Sequence, residues 1–141
     1  MKLPSLISKI LSANDAGETG AHQAGILIPK SSGVISFFPH LNAEEYNPRV
    51  HLFFTDAAGE RWEFAFIYYN NRLHGRGTRN EYRLTRMTPY FHRHNLKPGD
   101  EIILKRSERD HFSIEHHRKC QAERTAGGVL RLSAGWKIID I

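Results

Sequence analysis

With a single cysteine, Cys120, the chain cannot close an internal disulfide. No stretch approaches the roughly 20 consecutive apolar residues that a bilayer span needs, and the longest apolar runs, such as Phe64 to Tyr69, have the length of strands. Met1 to Ile10 is too short and too interrupted for a secretory leader with its cleavage site. These absences argue against a membrane role and lead to the expectation of a cytoplasmic protein. Acidic residues are the minority, 15 against 20 lysines and arginines, so the net charge is +5 and the isoelectric point is near 9.6. That balance favours polyanionic partners over acidic proteins or neutral metabolites. Also missing is any helical pattern of 10 to 15 residues between strands, which argues against a βαβ fold.

What is present is enough for one compact domain over residues 1 to 141. Apolar residues are 40% of the chain and charged residues 25%, a normal balance for a folded protein, and this size buries a core without metal or disulfide help. The spacing of Leu3, Leu6, Ile7, Ile10 and Leu11 fits a short helix or a half-buried strand equally well. Ser12 to Gln23 is rich in Gly, Asn, Asp, Ser and Thr and reads as a loop. Ala24 to Pro29 is a brief strand, and Ser32 to Phe38 a short helix stopped by Pro39, because the residue before proline avoids the α region. Arg49 to Phe54 and Arg61 to Tyr69 should pair as an antiparallel hairpin across the turn Asp56 to Glu60.

An arginine-rich loop, Asn70 to Asn80, follows, with Gly75 and Gly77 allowing it to bend. Glu81 to Met87 reads as a strand, Pro89 to Asn95 as one or two helical turns, and Lys97 to Asp100 as a turn before the strand Glu101 to Arg106. A last hairpin is expected between Phe112–His117 and Val129–Ile139, with Gly127-Gly128 near its turn. The fold class expected is mainly β with two short helices, a small, partly open pseudobarrel of about seven strands. A faint internal echo, Ile26 to Pro29 then Phe37 to Pro39 against Tyr82 to Thr85 then Pro89 to Phe91, suggests approximate two-fold symmetry. It would put the loops leading into the two units on one face.

Charge is concentrated in the second of those loops. Between Asn71 and Met87 lie Arg72, Arg76, Arg79, Arg83 and Arg86 against one acid, Glu81, so this stretch carries most of the net charge. In the major groove of DNA, a planar guanidinium meets guanine N7 and O6 together, a carboxylate accepts from cytosine, and an amide suits adenine. Arg79 and Arg83 therefore suit guanines, Glu81 or Asp15 a cytosine, and Asn80, Asn14 and Gln23 are adaptable partners. For Glu81, an ion pair that only orients Arg79 or Arg83 is an equal alternative. The first loop has Asp15 and Glu18 and no basic residue, so phosphate attraction gives it no role; base-edge contact or bracing must. His22, read alone, is more simply a histidine bonded within its loop. Lys9, Lys30, Arg49 and Arg72 are candidate phosphate contacts, which orient a protein on DNA but read no sequence. The aromatics from Phe53 to Tyr69 could form a stacking platform, but their alternation makes most of them core.

Nine histidines invite a hydrolase reading. His111, His116, His117 and Cys120 lack the spacing of a paired zinc site, and His116 and His117 on one strand would face opposite ways. Asp100, Glu101 and Lys105 lack the spacing of a metal-dependent nuclease set. No cofactor, no metal and no catalytic residue are expected.

Two segments resemble a known family. Leu11 to Asp15 with Gly17, Thr19, Gly20, His22, Gln23, Gly25 and Ile28-Pro29, and Ile67 to Asn70 with Arg72, Thr78 to Glu81, Arg83 and Thr85-Arg86, are similar to the N-terminal effector domain of EcoRII-type (type IIE) restriction endonucleases. The strand-then-helix units, with Leu96 to Asp100, resemble the plant B-three domain, which shares the DNA-binding pseudobarrel. The resemblance implies a wrench-like clamp of double-stranded DNA, with two arms in the major groove, at a site CCWGG, where W is A or T. Carried over by position, the N-terminal arm is Ser12 to Gln23, with His22 now a DNA contact. The C-terminal arm is Arg76 to Arg86, around Arg79, Asn80, Glu81 and Arg83. Tyr82 stands where the family has a basic residue, and there is an extra glycine near Gly75 to Gly77. The resemblance also implies a bacterial source, a nuclease domain elsewhere in the same parent chain and no cleavage by this domain; a monomer is expected. A free-standing regulator of transcription, or a basic barrel that binds RNA, is the alternative.

Overall fold

The computed structural model describes residues 5–16, 25–30, 33–119, 130–131 and 135–139. The alternating run from Arg49 dictates its centre. Strand β3 (Arg49–Thr55) buries Leu52 and Phe54 and exposes His51, Phe53 and Thr55, and β4 (Arg61–Tyr69) pairs with it antiparallel from Arg49↔Ile67 to Thr55↔Arg61. Asp56 holds the turn between them: its carboxylate accepts from the backbone N–H of Ala58 and Glu60, each at 2.9 Å, and from Trp62 Nε1 at 2.9 Å. The Trp62 bond is the main reason the Asp56 carboxyl is held below its ordinary value.

Around this hairpin lie β1 (Leu6–Ile10), β2 (Ile26–Ile28), β5 (Glu81–Thr85), β6 (Glu101–Arg106), β7 (Phe112–His117), β8 (Leu130–Arg131) and β9 (Trp136–Ile138), in the sheet order β2-β5-β4-β3-β7-β6-β1-β9-β8. The expected mainly-β pseudobarrel is what forms. It holds nine described strands rather than about seven, because the ambiguous opening segment is β1 and the C-terminal segment is split into β8 and β9. Of the two expected helices, the first is a 3-10 turn over Gly33–Phe37 and the second is α1 (Thr88–Arg93); a further 3-10 turn covers Asn71–His74.

The expected last hairpin does not form. β7 pairs antiparallel with β6 and touches β3 in parallel at Phe54↔Phe112 and Thr55↔Ser113, while β9 pairs with β1. The turn at 107–111 is tight enough to fold β7 back on β6: Ser107 N–H donates to the His111 carbonyl at 2.9 Å and Asp110 sits at φ 58°. That leaves β1 as the free partner for β9. Gly127 and Gly128 lie outside the described residues.

The core is aromatic and aliphatic, with Phe37, Phe54, Phe64, Phe66, Tyr90 and Trp136 among its largest fully buried side chains. Each contributes on the order of 1.5–3 kcal/mol when removed from water. Its polar handles are satisfied, Trp136 Nε1 by the Leu27 carbonyl at 2.9 Å and the Tyr90 hydroxyl by His116 Nδ1 at 2.9 Å. Phe53 is the exception among the β3–β4 aromatics, 47% exposed under the Arg61 guanidinium.

Candidate nucleic-acid interface

The two echo strands are hydrogen-bonded neighbours, β2 and β5 pairing antiparallel through Ile26↔Leu84, Leu27↔Arg83 and Ile28↔Tyr82. The exit of the first loop is thereby fixed against the strand that carries the second. The approach is close: at Gly25, with φ +90°, a Cβ would stand 2.5 Å from the Leu84 carbonyl oxygen. Glycine has no Cβ to clash and accepts that dihedral at no steric cost.

The arginine-rich loop is closed on itself. Arg72 N–H donates to the Arg79 carbonyl at 2.9 Å, Arg76 N–H donates to the Asn71 carbonyl at 2.9 Å, and Gly75 at φ 65° ends the 3-10 turn. Its base is held by Asn70, fully buried, whose Nδ2 donates to the carbonyls of Ala43 and Glu45 at 3.0 and 2.7 Å and whose Oδ1 accepts from Asn47 N–H at 2.7 Å. On this base stand two aromatic shelves. Arg76 lies 4.7 Å from the ring centre of Tyr46, and Arg79 3.9 Å from that of Tyr69.

Glu81 links both arginines of the arm. Arg79 Nε donates to Oε1 at 2.9 Å and an Arg83 terminal nitrogen donates to Oε2 at 3.3 Å. Burial alone would raise the Glu81 carboxyl, but the hydrogen bonds from Arg79 and Arg83 outweigh it and hold the group below its ordinary value. In the free protein Glu81 is therefore the bracket that orients the arginines. Arg83 is also bonded to the Gly25 carbonyl at 2.8 Å, and its Nε is buried with no partner among the described residues. It ties the exit of the first arm to the second. Arg79 is different, because its two terminal nitrogens have no protein partner among the described residues.

Asn80 accepts the Tyr68 hydroxyl proton through Oδ1. Tyr82 stacks face to face on Tyr68, 4.1 Å between centres and 6° between planes. Burial, then Tyr68, raises the Tyr82 phenol. Arg72 and Arg76 are exposed.

At the first arm, Lys9 and Asp15 form a buried pair at 2.8 Å, and Asp15 also accepts from Ser12 N–H at 3.0 Å. Their charges are spent on each other, so both brace the arm's base, and Lys9 is not displayed for a phosphate. Asn14 is exposed beside them. Thr19, His22 and Gln23 lie outside the described residues. Among the described residues no group of three or more histidines, acids or cysteines is placed to hold a metal ion. His116 lies against Tyr90 and His117 lies 3.9 Å from Glu101, and Cys120 is outside the described residues. No helix among the described residues is long and apolar enough to cross a membrane.

Sequence reasoning singled out Asn70 only as part of the resembling segment and missed its bracing role, Tyr46 and the shelf role of Tyr69. The last was legible in principle, since adjacent tyrosines on a strand face opposite ways and only one can enter the core.

An open barrel of nine strands among the described residues, with an arginine-rich loop leading into β5, defines a B3-like pseudobarrel. Two solved structures share it: an Arabidopsis FUS3–DNA complex (TM-score 0.60, 19% identity, 79% of this chain and 94% of that one) and the B3 domain of the UbaLAI restriction endonuclease with cognate DNA (TM-score 0.59, 19% identity, 96% and 86%). By sequence the chain is 44% identical over 102 residues to the type II restriction enzyme EcoRII of Escherichia coli, covering 68% of this chain and 24% of that enzyme. It is 29% identical over 118 residues to a B3 domain-containing transcription repressor of Arabidopsis thaliana, covering 84% of this chain and 14% of the repressor. The family "Restriction endonuclease EcoRII, N-terminal" matches residues 4–98. The chain belongs to that family, and it spans about a quarter of the length of EcoRII itself.

Proposed function

We propose that this chain is the sequence-reading, effector-binding domain of an EcoRII-type restriction endonuclease, gripping double-stranded DNA by two arms in the major groove at CCWGG. The observation that carries the reading is the pose of Arg79. Its face lies on Tyr69 and its Nε is held by Glu81, which leaves a preorganised pair of terminal amino groups for guanine N7 and O6. Glu81 and Arg83 act through Arg79 and the Gly25 junction, and Lys9 and Asp15 hold the first arm. Asn14, Thr19, His22 and Gln23 supply that arm's base contacts, Asn80 and Tyr82 flank the arginine, and Arg72 and Arg76 meet phosphates. The two solved structures that share the fold are described with DNA, which supports the same partner here. Cleavage belongs to a nuclease domain elsewhere in a longer parent chain, and this domain works as a monomer. The likeness to a plant repressor over 84% of the chain supports a second reading, a free-standing regulator that binds DNA with the same face.

The test is a gel-shift comparison, near physiological salt, of a CCWGG duplex with one altered at a single G·C pair. The altered duplex binds at least about fivefold more weakly, since each mismatch costs about 1–3 kcal/mol, and Arg79→Ala erases the difference. Equal binding of both duplexes by the wild type overturns the CCWGG reading. A nuclease region downstream in the gene separates the enzyme reading from the free-standing one.

A further inference from the structure

A carboxamide can both donate and accept, and it reads adenine by doing both at once, accepting from N6 and donating to N7. In Asn80 the accepting side is already engaged. The hydroxyl of Tyr68 donates to its Oδ1. Tyr68 is only 6% exposed and is held face to face on Tyr82, which stacks at 5.6 Å on Phe66, itself stacked at 4.5 Å on Phe38. This four-ring ladder runs from the core to the arm, so the position of the phenol oxygen is set by the barrel. With that oxygen fixed and its proton given to Oδ1 in a part-buried contact, the Asn80 amide stands with Oδ1 turned toward Tyr68. The amide nitrogen then has no protein partner among the described residues.

We infer that Tyr68 is a positioning residue that sets the orientation of the Asn80 amide, so that Asn80 turns its N–H donors to the groove and selects guanine, with acceptors at N7 and O6, over adenine. The inference rests on the DNA-reading function proposed above. It makes Tyr68 a determinant of specificity that touches no base, and it gives the stacked tyrosine at position 82 the task of holding Tyr68 in place.

Selection of preferred sites from a random duplex pool tests it, using the whole 141-residue chain. The wild type prefers guanine to adenine at the position that Asn80→Ala flattens. Tyr68→Phe keeps the ring stack, frees Oδ1 to accept, and lowers the guanine-over-adenine preference there by roughly five- to tenfold, while other positions keep theirs. Asn80→Asp, which disturbs no core residue, presents acceptors only and discriminates against guanine at that position even if Tyr68→Phe folds poorly. A Tyr68→Phe protein that melts like the wild type and selects the same bases overturns the positioning role, as does an Asn80→Ala protein with no flattened position. A wild type that selects no sequence overturns the function itself, an outcome distinct from both.

Discussion

Replacing Glu81 by glutamine keeps the shape of the bracket and removes its charge, and both arginines should loosen together. The Arg83 half is longer but more buried: the side chains are 20% and 27% exposed, and a hydrogen bond to a charged group is worth about 1.5–3 kcal/mol, taken at the low end for a contact of 3.3 Å. The Arg79 half, with its arginine 42% exposed, is worth only about 0.2–1 kcal/mol. A glutamine keeps one acceptor but turns an amide NH₂ toward the other guanidinium, so the loss is about 2 kcal/mol. At about 2–4 °C per kcal/mol for a domain near this size, the thermal midpoint falls by roughly 4–8 °C.

The pH dependence gives an independent check. Glu81 is held below its ordinary value of 4.5 in the folded chain, so the unfolded chain binds the proton more readily. The stabilisation is fully present above 4.5 and is lost as pH falls through the lower folded value. Thermal unfolding followed by circular dichroism should therefore show a constant gap between wild type and Glu81→Gln from near neutral pH down to about pH 5, closing below that. Equal midpoints at neutral pH, or a gap undiminished near pH 3, would refute the reasoning.

Asp15→Asn strands the buried Lys9 ammonium and costs about 3–5 kcal/mol in urea denaturation, and the double change Lys9→Met with Asp15→Leu recovers most of it; a single variant as stable as the wild type contradicts the bracing role. Gly25→Ala loses about 1–3 kcal/mol from the dihedral alone and more from the clash with the Leu84 carbonyl. Gly59→Ala, at φ +86° with nothing within 4 Å, shows the dihedral cost by itself, so equal denaturation midpoints for the two variants would exclude the clash. Burial first, and the neighbouring His94 next, hold His116 below its ordinary value of 6.5. The unfolded chain then takes up the proton first, and stability falls as pH drops below 6.5. His116→Gln flattens the slope of stability against pH below 6.5, and an unchanged slope would locate it elsewhere.

How far the structure can be read in advance depends on how local its causes are. The β3–β4 hairpin follows from alternation around Asp56, and β6 from the Lys97 to Asp100 turn, all within a few residues. β7 pairs with β6 across the local turn at 107–111, but its parallel contact with β3, through Phe54↔Phe112 and Thr55↔Ser113, joins segments far apart in the chain, which no local pattern encodes. Charged residues are almost never fully buried unless paired, so Lys9 and Asp15 looked like surface groups until each was seen to be the other's partner. The composition of the arginine arm was plain, and so was the ambiguity of Glu81. Which arginine keeps its terminal nitrogens available and which is a strut was not, because that depends on the Gly25 carbonyl reaching Arg83 across β2 and β5.

The central claim, that the arm reads base edges in the major groove, is tested most directly by dimethyl sulfate footprinting of a bound CCWGG duplex. Guanine N7 lies in the major groove and adenine N3 in the minor groove. The account predicts protection of guanine N7 within the site, lost in Arg79→Ala, with adenine N3 still reactive. Protection of adenine N3 with guanine N7 left open would contradict it.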